Sequence, residues 1–352
     1  MIRACLSTVF LRFLRMPLPI LKKGSIGFNA CPDMVEPKRL VQLCQRAKKA
    51  GFEAIWVSDH FHPWFHTGAT EYNTWVWMGA AMQQIDLPFG TAVTAPLFRY
   101  HPAITAQAFA TMEALFGHRV ILGIGTGEAM NEVPLGYPWP KYAERRDRLI
   151  ESVKIMKSLW KGGFVDFDGE YYKLKAANIY MKSDVPIVMS ALGPKMSKIV
   201  GEYGDGIITS AKTPQYISEV IFPNVAAGAR KSGRTLDDLL KVVEIDLAYD
   251  EDYDRAVKTL RKWAATLINE MFTTDISDPR QIEERGKTIS DKELAEVFPI
   301  ATDENEFIKR IEQYFKCGFD HTYVQINTFE EEKAFNLFEK KVLPYFRSNG
   351  AK

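Results

Sequence analysis

From Ser25 onward two kinds of apolar pattern alternate along the chain. One kind is a short continuous run: Ser25–Ala30, Ala54–Ser58, Arg119–Ile124, Pro186–Ala191, Gly206–Ser210, Leu240–Ala248 and Thr322–Ile326, with another inside Pro88–Pro96. Runs of this length, apolar at successive positions, are what a strand buried on both faces looks like. The other kind is a longer segment with helical spacing. Leu40, Leu43, Cys44 and Ala47 share one face between Pro37 and Gly51, and Leu149, Val153, Met156 and Trp160 share one side of Lys141–Trp160. Helices are likewise expected from the Asn73 cap to Gln84, and over His101–Phe116, Pro194–Tyr203, Gln215–Lys231, Tyr253 to about Glu270, Glu304–Cys317 and Glu330–Phe346. Two stretches break the rhythm. Phe164–Tyr180 alternates around a DG turn, the signature of a hairpin, and Asp278–Glu296 is a polar, helical-looking insertion after the seventh strand. Eight strands with intervening helices predict a closed parallel (β/α)8 barrel. A doubly wound sheet has less support, because no GxGxxG follows the first strand.

The first residues stand apart from this pattern. Residues 1–24 are expected to be an extension or a mis-assigned start, with Met16 the alternative first residue, and residues 25–348 a single barrel domain. Arg12 and Arg15 interrupt the apolar stretch that a secretory signal needs. Apolar residues are 46% of the chain, charged residues 25%, and the net charge is +1, the values of a globular protein without a basic excess for nucleic acid or a membrane surface. Cys5, Cys31, Cys44 and Cys317 are scattered with no CxxC pair, so a cytoplasmic, reducing location is expected.

In such a barrel the chemistry gathers at the C-terminal ends of the strands. After strand two comes SDHFHPWFH, with Asp59, His60, His62, Trp64 and His66. A metal reading would use the three His, but their spacing matches no common helical ligand pair, and no metal is expected. An acid/base reading needs one imidazole oriented by a carboxylate. His60 is the candidate base, Asp59 the candidate orienting group and Trp64 a pocket wall, with His62 and His66 as ordinary loop polarity. After strand four comes GIGTGEAMNE, where glycines admit a flat or phosphorylated ligand and Gly127, Glu128 and Asn131 follow in sequence. After strand five, Ala191-Leu192-Gly193 opens a helix, a form of backbone phosphate site. Thr209 and Lys212 follow strand six, and Glu244 and Asp246 alternate onto one face of strand seven.

SDHFHPW, the run GTAVTAPLFRYHPAITAQAFATM and GIGTGEAMNEVP together resemble the luciferase-like hydride transferases that use coenzyme F420, a deazaflavin. Trp139-Pro140 and the FDGEYY hairpin are in register with that family too, so the resemblance spans the whole barrel. It implies a bacterial luciferase-like TIM barrel, often a homodimer, that moves hydride between a carbinol carbon and the deazaflavin C5. By that resemblance the catalytic set is His60, Asp59, Trp64 and Glu128. The coenzyme would be held by Asp59, a cis peptide at Ala92-Val93, Gly127, Glu128, Asn131 and the turn Ala191, Leu192 and Gly193. Asp33, Thr209, Lys212 and Asp246 would face the substrate, with Asp33 one methylene shorter than the family's Glu.

Two subgroups are nearest, the secondary alcohol dehydrogenases and the glucose-6-phosphate dehydrogenases. Thr209 and Lys212 match the sugar-phosphate enzymes, but Thr273 and Val297 stand where those enzymes carry two further cations. A small secondary alcohol is therefore the expected substrate. Sugar-phosphate oxidation, methylene-tetrahydromethanopterin reduction and a non-catalytic flavin-binding role are the alternatives.

Overall fold

A computed structural model describes residues 21–349. Most of the expected N-terminal extension lies outside the described residues. Of its last four, Leu21 packs against the side chains that fill the barrel, and Gly24 donates its N–H to the Asp320 carbonyl. The strands are β1 (Ser25–Ala30), β2 (Ala54–Val57), β3 (Phe89–Thr91), β4 (Val120–Ile124), β5 (Val165–Asp168), β6 (Lys173–Ala177), β7 (Ile187–Ser190), β8 (Gly206–Ser210), β9 (Leu240–Tyr249), β10 (Ile300–Ala301) and β11 (His321–Asn327). The pairing β1-β2-β3-β4-β7-β8-β9-β11 returns to β1, and every pair in it is parallel, so eight strands close a barrel. β5 and β6 form the separate antiparallel hairpin that the DG turn announced. β10 is a strand the sequence pattern did not foresee: two residues that extend the sheet outward from β9 after the polar insertion.

The helices that bear on the site are α1 (Pro37–Ala50), α2 (Thr74–Met82), α3 (Pro102–Phe116), α4 (Ala129–Glu132), α5 (Tyr142–Trp160), α6 (Pro194–Tyr203), α7 (Pro214–Tyr216) and α8 (Phe222–Lys231). Asn73 caps α2 by accepting from the Val76 N–H, as its position suggested. Between α7 and α8 the chain makes a π turn over Ile217–Ile221, and a second π turn covers Phe338–Val342. Each is followed within two residues by a proline, Pro223 or Pro344, which has no N–H for the next helical bond, so the wider turn meets the break. The helix expected to run from Tyr253 to about Glu270 is α-helical only to Thr259 and continues as a tighter 3-10 segment, Leu260–Leu267.

Two layers of apolar side chains fix this architecture. The larger lies between the strands and the surrounding helices, from Ile26 and Leu40 round to Phe335 and Phe338. The smaller fills the barrel itself with Trp56, Ile121, Val188, Ile208, Val242 and Tyr323. At its lower end the buried His321 accepts from Trp56 Nε1 (2.9 Å) and pairs with Ser25 Oγ (2.7 Å). Above that layer the interior turns polar. Asn29 donates to Glu244 (3.0 Å) and Gln325 (2.8 Å), all on barrel strands at the C-terminal end. The barrel mouth is therefore hydrophilic while its base is sealed.

Candidate active site

The loops after β1, β2 and β4 bring the reactive side chains together. His60 follows β2, and its Nδ1 lies 3.2 Å from both carboxylate oxygens of Asp33, which follows β1. Asp33 is fully buried and also accepts from the Trp64 backbone N–H (3.2 Å) and Ser58 Oγ (3.4 Å). It thus ties the β2 loop to the β1 loop and fixes the His60 ring. Burial pushes the His60 imidazole down, but the Asp33 charge and hydrogen bond outweigh it and raise the group to about 9. Burial acts on Asp33 in the opposite sense to its pairing with His60, and the pairing wins, so Asp33 is held below its usual value. With Nδ1 committed to Asp33, Nε2 is the nitrogen left to exchange a proton with a ligand.

Asp59 was the sequence's candidate for that orienting role, and the structure corrects it. Its carboxylate accepts from Thr94 Oγ1 (2.5 Å), Arg99 Nη2 (3.1 Å) and Tyr100 O–H (3.4 Å). His60 turns towards Asp33 while Asp59 turns into the β3–α3 loop. There it holds Arg99, whose guanidinium also donates to the Asp59 carbonyl and stacks 4.5 Å over the Tyr100 ring.

Glu128 closes the other side. Its Oε2 accepts from Asn131 Nδ2 (2.9 Å), and Asn131 Oδ1 accepts from the Phe61 N–H (2.7 Å), so the GTGEAMNE loop is stitched to the His60 loop. Glu128 is close enough to His60 for its charge to favour the imidazolium. The Trp64 ring meets the His60 ring edge-on at 6.4 Å and Phe272 at 5.4 Å, an apolar wall beside the imidazole. His62 pairs with the Ser277 carbonyl (3.0 Å) and the His66 backbone donates to Glu283 (2.7 Å), so both serve the loop.

The Ala92–Val93 peptide is cis, and both side chains pack on the barrel interior. Gly125 passes so near that a Cβ there would meet Val93 Cγ2 at 2.7 Å. Beside this bulge lies a cavity of about 480 Å³ lined by Thr126, Ser190, Ala191, Leu192, Gly193 and the first turn of α6. No side chain caps α6, so its leading N–H groups face that space, and a Cβ on Gly193 would meet nothing within 4 Å. The Ala191 N–H is already bonded to the Ile208 carbonyl (3.1 Å), which leaves Ala191 as an apolar lining residue rather than an N–H donor. Gly127 packs against Ala95 and Trp139 at the far side of the loop.

Thr209 is buried within β8, and Lys212 is exposed in the following loop. Glu244 and Asp246 point into the barrel from β9, where burial raises them to about 8 and about 7, Glu244 also through the charge of Asp246. Two residues of the site were not singled out in the sequence. Arg99 sits inside the run GTAVTAPLFRYHPA and its burial is what marks it. Glu71 follows the His loop in a polar stretch without periodicity, and no local pattern distinguishes it.

The closed parallel barrel with its chemistry at the strand ends, its non-proline cis bulge and its uncapped helix defines an enzyme-like α/β barrel. The chain belongs to the luciferase-like family: the family model described as luciferase-like monooxygenase matches residues 24–321. Among curated relatives it is 38% identical to an F420-dependent glucose-6-phosphate dehydrogenase of Mycolicibacterium fortuitum and to one of Mycobacterium tuberculosis, over 92% of this chain and 98% of each relative. Among solved structures it resembles an F420-dependent secondary alcohol dehydrogenase in complex with an F420-acetone adduct (TM-score 0.88, 36% identity, 92% of this chain and 99% of the other). It also resembles the coenzyme F420-dependent tetrahydromethanopterin reductase of Methanopyrus kandleri (TM-score 0.75, 25% identity, 92% and 99%).

Proposed function

We propose that this chain is an F420-dependent oxidoreductase acting on CH–OH groups, and that its substrate is a small neutral secondary alcohol or the corresponding ketone. The observation that carries the reading is His60, fixed by Asp33 and faced by Glu128, at a barrel mouth next to a cavity that ends on a helix N-terminus. The cavity suits the coenzyme: Leu192, Gly193 and the first N–H groups of α6 would receive its phosphate, and the bulge at Ala92 and Val93 would support its ring system. When bound, the deazaflavin supplies a two-electron hydride acceptor at C5.

The chain's own residues handle the proton. As an alcohol loses hydride from its carbinol carbon, His60 Nε2 takes the hydroxyl proton and the carbonyl forms; in the reverse direction the imidazolium returns it. Asp33 holds the tautomer and balances the charge. Trp64 shields the reacting carbon from water, and Glu128 serves the substrate hydroxyl or the coenzyme ring.

The preference for a neutral alcohol over a sugar phosphate is electrostatic. Lys212 is exposed, Thr273 and Val297 bring no charge, and Glu244 and Asp246, raised by burial, add no cation to that end of the barrel. A phosphate dianion would lose its hydration and gain one strong pair, a poor exchange. Both oxidised F420 and FMN should be titrated against Trp fluorescence, followed by turnover of propan-2-ol and glucose 6-phosphate by wild type and Lys212→Ala. Tighter F420 binding, with propan-2-ol oxidised at similar kcat/KM by both proteins, is expected. Tighter FMN binding overturns the coenzyme. A higher kcat/KM for glucose 6-phosphate that Lys212→Ala abolishes overturns the substrate class. The same reading expects a cytoplasmic homodimer; among the described residues, no helix is long and apolar enough to cross a membrane.

A further inference from the structure

Behind His60 and Asp33 stands a second carboxylate that the proposed chemistry does not use. A carboxylate oxygen of Asp33, a ring nitrogen of His60 and a carboxylate oxygen of Glu71 all lie within 4.8 Å of one another. Glu71 is placed by its chain neighbours: Thr70 donates its N–H to the Asp33 carbonyl (3.0 Å) and its hydroxyl to the Pro32 carbonyl (2.5 Å), which clamps the 70–71 backbone onto the β1 loop. One Glu71 oxygen accepts from the Tyr72 N–H (3.1 Å), while the other, Oε2, is shielded from solvent and has no hydrogen-bond partner. A buried carboxylate oxygen without a donor, beside a second carboxylate, is costly to ionise, because neither water nor a hydrogen bond balances a second negative charge there.

We propose that Glu71, set against both His60 and Asp33, is a positioning residue that tunes the basicity of His60 through its carboxyl charge. This deepens the reading of His60 as the acid/base group and rests on it. In the neutral form Glu71 leaves one negative charge, on Asp33, facing the imidazolium. Once Glu71 ionises, two negative charges face it, and His60 holds its proton to higher pH. Burial first, and then the Asp33 charge, raise Glu71 to about 8, so its ionisation falls in the working range.

The other groups around the pair do not supply this switch. Asp59 is neutralised by Arg99, Cys31 is held protonated by burial and the adjacent Asp33, and Tyr72 is raised by burial and Glu71. Glu128 reaches His60 from the β4 loop and stays hydrogen-bonded to Asn131 in any variant of Glu71. Glu244 lies across the barrel, where His60 lowers it slightly against burial and Asp246.

The test has a readout that needs no coenzyme. In the full chain with labelled histidine, the His60 imidazole is titrated by NMR in wild type, Glu71→Gln and Glu71→Asp. Glu71→Gln keeps the shape and removes the charge, so the His60 midpoint should fall by at least about half a pH unit, the effect of one charge at this distance even at water-like dielectric. Glu71→Asp should restore most of the difference. The pH–rate profile for propan-2-ol oxidation should move its rising limb by the same amount, with the KM for F420 unchanged. An unmoved His60 midpoint in Glu71→Gln overturns the inference even if the enzyme oxidises alcohols. A moved midpoint in a protein that oxidises no alcohol with F420 would support the coupling and overturn the proposed function.

Discussion

At the residue scale the site is a matter of which way each side chain turns. The sequence placed His60 beside a carboxylate and took the nearest one in the chain. The structure takes the carboxylate from the loop after β1, because Asp59 is already held by Thr94 and Arg99 in the β3–α3 loop. The family resemblance named Asp33 as a substrate-facing acid; the structure instead buries it against His60, a pairing over 27 positions that no local pattern announces. His60→Asn is expected to lower kcat for alcohol oxidation by about a hundredfold or more while F420 affinity changes little, measured by steady-state kinetics and fluorescence titration. The direction in which His60 is displaced adds a signature. Raised from 6.5 to about 9, the imidazole is protonated at neutral pH, so oxidation, which needs the free base, should climb with pH up to about 9. Ketone reduction, which needs the acid, should fall over the same range. An oxidation rate that is flat between pH 7 and 9 would place the base elsewhere, with Glu128 the next group to test.

At the element scale the strands and most helices could be read directly, because parallel strands buried on both faces leave unbroken apolar runs and helices leave a periodic stripe. Irregular turns could not, since a π turn before a proline or a two-residue strand such as β10 has no periodicity to detect. Close helix packing is also invisible in a linear pattern. α6, whose first turn lines the cavity, lies almost backbone to backbone on α8: a Cβ on Gly228 would sit 1.8 Å from the Lys198 carbonyl oxygen. On an isolated helix Gly→Ala would stabilise by roughly 0.5–1 kcal/mol. Here overpacking against rigid backbone should reverse that sign and cost on the order of 1–3 kcal/mol. Gly228→Ala is expected to lower the urea midpoint and, by displacing α6, to weaken F420 binding. A variant as stable as wild type would mean that α6 and α8 can separate freely, and the uncapped helix would not be a fixed phosphate site.

At the scale of the whole molecule, the polar barrel mouth sets how stability responds to pH. Burial raises Glu244 to about 8, Asp246 to about 7 and Glu132 to about 7, and burial with Asp33 raises Glu71 to about 8. A carboxyl group raised in the folded chain adds stability that is fully present below its unfolded value and lost as pH climbs through its folded value. His60 has the same sign: its pairing with Asp33 stabilises below 6.5 and fades as pH rises through about 9. His321 works in the other direction. Buried as the neutral ring and lowered to about 3, it adds stability above 6.5 that is lost as the medium turns acidic. Above pH 6.5 the His321 contribution is constant, so the acids and His60 decide the slope. A tenfold difference in proton affinity between the folded and unfolded chain corresponds to about 1.4 kcal/mol. The melting temperature followed by circular dichroism should therefore fall by at least several degrees between pH 6 and pH 9. Glu244→Gln, which cannot ionise, should flatten that fall. A melting temperature that holds level from pH 6 to 9 in the wild type would mean that water reaches the barrel mouth freely enough to leave these acids ionised, and the electrostatic case against a phosphate substrate would become a plain case of two negative charges on the lining.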